Sequence, residues 1–469
     1  RGLGDVYKRQ RYSWFAPMKR ILLPVLFSLL LAPATLAAPP NVVIFLTDDQ
    51  GTLDAKCYGS KDLYTPAIDG LAETGIRFTQ AYSHTVCCPA RALLMTGRHP
   101  QRSGVVNWTQ GDRKGSDRQN RNMAASETTI AEVLGKAGYA TAIFGKWHLG
   151  ARQGHGPLAQ GFDHHFGHLG GFIDNYNHFF LHGQGFHDLY EDNVEIFKSF
   201  AYFPDLMTER AMNYIEEHKE KPFLLYVSFN IPHYPEQHDR KFEARYRNLP
   251  MPRQSYARMI STTDDRMLQI LNKLEEHKLR ENTIVIFMSD NGHSTEDGAR
   301  IRKDHKSGLK EGHYYHAFGG GGNTGKWRGA KGSYYEGGLR VPAIISYPGK
   351  LPKGEVRNQV ITGADWFPTI LDLCGIKPPA VTLDGHSVLP LIQNPETPSP
   401  HRTLHWAWGN GWAVREGSWK LIGSGNQPRF LGNLDEEQPE SVNHMNAKPK
   451  LVQQLFQTHV KWLEKTQAR

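Results

Sequence analysis

Apolar and polar positions follow two periods along this chain, and their order predicts its architecture. The run from Asn41 to Leu46 is rich in β-branched residues and stops at polar Thr47, Asp48 and Asp49. Such a run reads as a strand buried on both faces, with polar groups at its C-terminal end. Similar runs at Tyr139–Phe144, Phe223–Phe229, Thr283–Met288 and Val341–Tyr347 predict further strands. Between them, apolar residues recur at helical spacing over Ala67–Thr74, Thr128–Ala137, Leu206–His218 and Ala257–His277. Strand and helix taking turns predicts an α/β fold: a large central sheet, mixed but mostly parallel, flanked by helices. Ligands of such sheets gather beyond the carboxyl ends of the strands. The polar residues that follow these runs are therefore the first candidates for chemistry.

Near residues 395–400 the pattern turns proline-rich. Short strand-like runs follow at Thr403–Trp408, Gly411–Arg415 and Trp419–Ile422, then a helical pattern over Lys450–Gln467. These predict a smaller C-terminal α+β subdomain with a short antiparallel sheet. The expected organisation is a leader over residues 1–38, a catalytic domain over 39–398 and the subdomain over 399–469. Within the leader, basic Lys19 and Arg20 precede an apolar stretch from Ile21 to Ala32 and small residues near Thr35–Ala37. This is the pattern of a signal peptide starting at Met18, with residues 1–17 not part of the native start. The apolar stretch is too short to span a bilayer, and no later segment approaches that length. The expectation is an exported bacterial protein, periplasmic or extracellular, with no integral membrane segment in its mature chain.

Charge narrows the partners. The formal net charge of the 469 residues is +8, but six of the 55 basic residues and one of the 47 acidic residues lie in the leader. The remainder is close to neutral, which argues against a nucleic-acid partner. The four cysteines, Cys57, Cys87, Cys88 and Cys374, match no zinc spacing and are too few for a disulfide scaffold. If Cys87 is modified, the other three allow at most one intramolecular disulfide, with the pair left open.

The most specific signal is the segment from Cys87 to Arg98, CCPARALLMTGR. The apolar residues Ala92–Met95 suggest that Cys87 opens a helix, whose free N–H groups would face an anion. C-x-P-x-R followed by T-G-R resembles the signature of the type I sulfatases of the alkaline phosphatase superfamily, in which the cysteine is oxidised to Cα-formylglycine. Ala90 stands where many members carry Ser. Further blocks resemble the same family: Asp48-Asp49, Asp290-Asn291-Gly292, Gly145–Gly150 (GKWHLG), Ile231–Pro235 (IPHYP), Gly329–Gly332 with Glu336–Pro342, and Gly161–Gly167. The likeness runs from about Pro40 to Leu463 and is greatest to the arylsulfatase A and N-acetylgalactosamine-6-sulfatase branch. One departure is Gln438–Ser441, where the family usually carries D-P-x-E.

The resemblance implies a reaction and a site. Asp48, Asp49, Asp290 and Asn291, with converted Cys87, would hold a divalent cation, Ca²⁺ with Mg²⁺ as the alternative; hard oxygen donors suit both. Arg91 would hold the formylglycine, while Lys146, His148, His233 and Lys331 surround the sulfate. A hydroxyl of the hydrated aldehyde attacks sulfur, and His233 with Lys331 protonates the departing alcohol. His148 takes the proton of the remaining hydroxyl as sulfate leaves. The implied activity is that of a sulfuric ester hydrolase acting on a sulfated glycan, after maturation by a formylglycine-generating or anaerobic sulfatase-maturing enzyme. Two alternatives are a formylglycine-dependent phosphonate or phosphate ester hydrolase and a non-catalytic glycan-binding homologue.

Three features stay outside that set. The tract holding His164, His165, His168, His178, His182 and His187 reads equally as a pocket wall or as ordinary packing. Gly319–Gly322 is expected to form a mobile loop near Lys331. Asn107-Trp108-Thr109 matches a glycosylation sequon, read as accidental in a bacterial chain.

Overall fold

The computed structural model describes residues 38–109 and 122–467. The expected leader, Ala38 apart, lies outside the described residues. From Pro39 onward the chain forms one compact unit. Its strands are β1 (Asn41–Asp48), β2 (Ile76–Tyr82), β3 (Ala140–Lys146), β4 (His164–His168), β5 (Phe179–Phe180), β6 (Phe186–His187), β7 (Tyr190–Glu191) and β8 (Val194–Glu195). There follow β9 (Phe223–Pro232), β10 (Thr283–Ser289), β11 (Arg340–Ser346), β12 (Glu355–Thr362), β13 (Thr403–Trp408), β14 (Gly411–Glu416), β15 (Trp419–Ser424) and β16 (Gln427–Asn433).

Ten of them make one sheet in the order β12-β2-β11-β10-β1-β9-β3-β4-β7-β8. The block β10-β1-β9-β3-β4 is parallel throughout, whereas β11 runs antiparallel to both β10 and β2. The sheet is therefore mixed with a parallel centre, as the sequence pattern implies. Five of its strands escape the hydrophobic pattern: β2, β4, β7, β8 and β12. β2 and β12 carry Arg, Thr, Gln and Asn among their apolar residues and are partly exposed, so they lack the continuous apolar run of a doubly covered strand.

Why the central strands are apolar throughout is visible in their alternation. On β1, Val42, Ile44 and Leu46 enter one core while Val43 and Phe45 enter the other; β10 does the same with Ile284, Ile286 and Met288 against Val285 and Phe287. Successive side chains point to opposite faces, and both faces are covered. The first core takes residues from the helices Cys87–Thr96, Ile130–Lys136 and Trp366–Cys374; the second takes them from Pro66–Glu73, Phe203–His218 and Arg253–Glu276. Local chemistry sets several of these helix ends. Thr129 and Glu132 form a reciprocal capping box, and Pro66 opens its helix at a position that needs no N–H donor. The Cys87–Thr96 helix ends at Gly97, whose φ of 65° lets its N–H reach the Leu93 carbonyl.

The C-terminal strands β13–β16 form a separate four-stranded antiparallel sheet. The helix Pro449–Gln467 packs on one face through Leu455 against Trp412, Val414 and Leu431. The other face meets the large sheet, where Leu404, Trp406 and Ala413 pack with Tyr82 and Leu339. All four cysteines are free thiols. Within the Gly319–Gly322 run, Gly319, Gly321 and Gly322 are closely packed, whereas Gly320 has open space: a Cβ on Gly321 would lie 2.7 Å from that of Tyr256.

Candidate active site

Four parallel strands deliver their ends to one place. Asp48 ends β1 and Asp49 follows it; Asp290 and Asn291 follow β10; Lys146 ends β3, with His148 two residues on; His233 follows β9. Cys87 is the first residue of its helix, and all ten residues of that helix are buried. Lys331 arrives on the loop before β11. Two residues here adopt left-handed backbone without being glycine: Asp49 (φ 69°) and His148 (φ 57°). Such conformations cost energy and recur where side chains are aimed for chemistry.

One oxygen each from Asp48, Asp49 and Asp290, together with Cys87 Sγ, lie within 4.8 Å of one another. Cys87 Sγ is 3.3 Å from Asp48 Oδ1. Asn291 Nδ2 donates to Asp49 Oδ1 at 2.7 Å, while its buried Oδ1 has no hydrogen-bond partner among the described residues. Three cations answer the three acids. Lys146 Nζ lies 2.6 Å from Asp48, Arg91 Nη2 2.8 Å from Asp290, and Lys331 Nζ 2.8 Å from Asp49.

These contacts do not make the acids comfortable. Burial opposes the charge on Asp48, but Lys146 and Arg91 outweigh it and hold that carboxyl below its usual range. Burial pushes Asp49 up to about 7, against Lys331, and raises Asp290, with Asp48 adding to the rise. Burial and the same two carboxylates push the Cys87 thiol well up. Crowded oxygens at the limit of ionisation, with an unused amide oxygen beside them, fit a hard divalent cation such as Ca²⁺ or Mg²⁺.

The two imidazoles are held in defined tautomers. His148 Nε2 lies 3.2 Å from the Thr109 carbonyl, so that nitrogen carries the proton. Nδ1 is then the free lone pair, buried and unpartnered among the described residues. His233 donates from Nδ1 to the Tyr234 carbonyl and turns Nε2 to within 3.7 Å of Asp49. Burial holds both imidazoles well below their ordinary range; Lys146 and Arg91 add to this at His148, Lys331 and Lys146 at His233. Both are neutral near pH 7.

A cavity of about 350 Å³ opens onto this cluster, and Cys87, His148, His233 and Lys331 line it. Asp48, Asp49, Arg91, Lys146, Asp290 and Asn291 lie beneath, at most 1% exposed. Every site residue expected from the sequence is thus part of one constellation. Arg91 reaches it from below: besides Asp290, its guanidinium bonds the Lys146 carbonyl and Ser228 Oγ.

Several participants have no signal in the sequence motifs. Ser228 on β9 ties Arg91 to the end of β3 by also donating to the Lys146 carbonyl. The Tyr256 hydroxyl bonds the Asp49 carbonyl and the Gly51 N–H, fixing the backbone at the left-handed Asp49. Trp108, Thr109 and Glu296 line the cavity. The first two fall in the supposed sequon, and the tryptophan between Asn107 and Thr109 was the available sign. Of the histidine-rich tract, His182 lines the cavity, beside Phe172 and Phe180, while His165, His168 and His178 are buried.

Comparisons with known proteins agree with this geometry. The Sulfatase family model matches residues 40–376, and the model of the N-sulphoglucosamine sulphohydrolase C-terminal region matches residues 330–466. The chain is 32% identical to N-acetylgalactosamine-6-sulfatase of Rattus norvegicus, over 84% of this chain and 76% of that protein. It is 30% identical to arylsulfatase D of Homo sapiens, over 83% and 75%. Among solved structures it superposes on Ps i-CgsB in complex with k-i-k-neocarrahexaose with a TM-score of 0.77 at 28% identity, covering 91% of this chain and 93% of that one. A phosphonate monoester hydrolase of Agrobacterium radiobacter shares the fold at 18% identity and a TM-score of 0.61. With a matching family model over most of its length and a cysteine set among three buried carboxylates, this chain belongs to the sulfatase family and is a sulfuric ester hydrolase.

Proposed function

We propose that the enzyme removes sulfate from a sulfated carbohydrate, using residue 87 after its conversion to Cα-formylglycine. The observation that carries this reading is the position of Cys87: first residue of a buried helix, 3.3 Å from Asp48, at the floor of a cavity shared with His148, His233 and Lys331. Asp48, Asp49, Asp290, Asn291 and residue 87 would hold Ca²⁺ or Mg²⁺. Bound there, the cation withdraws charge from the attacking oxygen and from the sulfate. The hydrated aldehyde supplies a nucleophilic hydroxyl and a second hydroxyl whose deprotonation drives sulfate out.

The chain's own residues divide the remaining work. Lys146 and Lys331 bring positive charge to a sulfate in the cavity, while Arg91 fixes the Cys87 helix to Asp290 and the end of β3. Lys331, the charged member of its pair with His233, stands where it can protonate the leaving alcohol oxygen. His148, neutral and with its Nδ1 lone pair unused, is the base for the second hydroxyl. The sugar is drawn from sulfated galactans or glycosaminoglycans; the names of the relatives and of the superposed complex support that choice. The export leader and a maturation enzyme, formylglycine-generating or anaerobic, belong to the same reading. No helix among the described residues is long and apolar enough to cross a membrane.

The test pairs two measurements on active protein: the mass of the peptide containing residue 87, and sulfate release from defined sulfated oligosaccharides. An aldehyde at residue 87, loss of turnover in Cys87→Ala and preference for the sulfate over the matching phosphate ester are expected. An unmodified thiol in fully active enzyme, or dominant phosphatase activity, would overturn the reading.

A further inference from the structure

The cavity above the reactive cluster has two unlike walls, and neither is used by the chemistry just described. On one side stands Trp108. The residue is 46% exposed; its indole lies 6.1 Å from the His148 ring at an angle of 22° and is braced edge-on at 5.7 Å by Trp408 from the C-terminal sheet. The brace is itself anchored. The Tyr334 hydroxyl donates to the Trp408 carbonyl, and the Gly409 N–H reaches the Val106 carbonyl in the loop that carries Trp108. An exposed aromatic face held rigidly in a cavity wall is a platform for the apolar C–H face of a sugar ring.

On the other side is Glu296. Its side chain is 48% exposed, and its two oxygens are fixed by Tyr234, Ser294 and Lys331 at 3.1, 3.0 and 3.4 Å. Burial pushes this carboxyl up, but Lys331 outweighs burial and the group is held at about 2. An ionised carboxylate is out of place in a cavity that must admit a sulfate monoester, unless it meets a different part of the substrate. Each oxygen keeps lone-pair capacity for a hydroxyl donor. A carboxylate on the substrate at the same spot would instead meet like charge in a partly desolvated space.

We propose that Trp108 and Glu296 select the sugar ring that carries the scissile sulfate, stacking and hydrogen-bonding an uncharged hexose and disfavouring a uronic acid. The inference rests on the sulfatase reading and adds to it which class of ring reacts. Neither residue takes part in bond breaking. Trp108 sets ring position through stacking, and Glu296 sets it by accepting a ring hydroxyl while disfavouring a second carboxylate.

The experiment measures kcat and KM of the wild type, Trp108→Ala, Trp108→Phe and Glu296→Gln. Substrates are three sets of monosulfates: methyl hexosides sulfated at each position in turn, methyl uronosides sulfated likewise, and isobutyl sulfate, which has no ring. The wild type is expected to favour its best hexoside over every uronoside by about 30-fold or more in kcat/KM. Trp108→Ala should raise KM for that hexoside by about tenfold with kcat changed less than about threefold, Trp108→Phe should recover most of the loss, and isobutyl sulfate should not discriminate among them. Glu296→Gln should narrow the gap between hexoside and uronoside by about tenfold. Wild-type preference for a uronoside, or an unchanged hexoside KM in Trp108→Ala, overturns this inference while leaving the sulfatase reading intact. Failure of the wild type to release sulfate from any ester overturns both.

Discussion

Thr109 and His148 hold one another by a reciprocal pair of bonds: Thr109 Oγ1 donates to the His148 carbonyl at 2.7 Å, and His148 Nε2 donates to the Thr109 carbonyl at 3.2 Å. The first bond steadies a backbone in the left-handed region, and the second selects the imidazole tautomer. Thr109→Val keeps the shape and removes the hydroxyl. A neutral hydrogen bond contributes about 1 kcal/mol, so kcat should fall about fivefold to tenfold, with Thr109→Ser near wild type. With His148 as the proposed base of sulfate release, rapid-quench kinetics of Thr109→Val should show alcohol released in a burst ahead of sulfate. Equal turnover in Val and Ser variants would remove Thr109 from the mechanism.

Asp48, Asp49 and Asp290 crowd three carboxylates into a space that burial makes hostile to charge. A divalent cation that binds this site in the folded chain stabilises it by mass action, about 2.7 kcal/mol at a hundredfold excess over its Kd. Chelation should therefore lower Tm and abolish sulfate release, and Ca²⁺ or Mg²⁺ should restore both. Asp290→Asn should weaken the response of Tm to added cation. A calorimetric scan that ignores both chelator and cation would count against the assigned ligands.

A second charged cluster lies between the two sheets, and Lys420, Glu336 and Glu440 in it are buried as deeply as Asp48, Asp49 and Asp290. Lys420 on β15 pairs with Glu336 at 2.8 Å and with Glu440, all three side chains fully buried. Glu336 also receives Arg340 and the Tyr82 hydroxyl, and its backbone N–H donates to Glu440. Burial opposes the charge on Glu336, yet Lys420 and Arg340 outweigh it and hold the carboxyl far below its usual range. Removing one partner leaves uncompensated charge, so Lys420→Met should cost about 3–5 kcal/mol. Urea unfolding checks this. Glu336 directly follows the loop that carries Lys331, so surviving Lys420→Met protein should also lose turnover.

Acid should loosen the C-terminal helix before it touches the sheet. His405 lies flat on Trp462 (4.7 Å, 6°) and faces His459, which stacks on Trp412 at 4.6 Å. Burial holds His405 at about 2, with His459 and His99 adding to the effect; burial holds His459 at about 4. In the unfolded chain both titrate near 6.5. Between those values the unfolded state binds more protons, so stability rises with pH and is lost progressively as pH falls from about 6.5, toward 4 for His459 and toward 2 for His405. His405→Phe with His459→Leu should flatten that slope of Tm against pH. A slope unchanged in the double variant would place the acid-sensitive groups elsewhere.

What the chain decides locally, its sequence announces. Strands buried on both faces must be apolar at every position, so β1, β3, β9, β10 and β11 are legible as runs. The cysteine signature is a linear motif, and Asp48-Asp49 and Asp290-Asn291 are legible because they directly follow such runs. Tertiary structure alone decided the rest. β2 and β12 are defined by pairing partners rather than by apolar periodicity, and β11 lies antiparallel between β2 and β10, a direction its apolar run does not encode. Ser228, Tyr256 and Thr109 matter because folding carries them to a backbone carbonyl or guanidinium 39 to 207 residues away. Trp108 and Glu296 line one cavity through the same long-range closure, and no spacing in the chain encodes that meeting. A side chain's chemical kind is written in one residue; its protonation state and its neighbours exist only once burial and charge have been assembled around it.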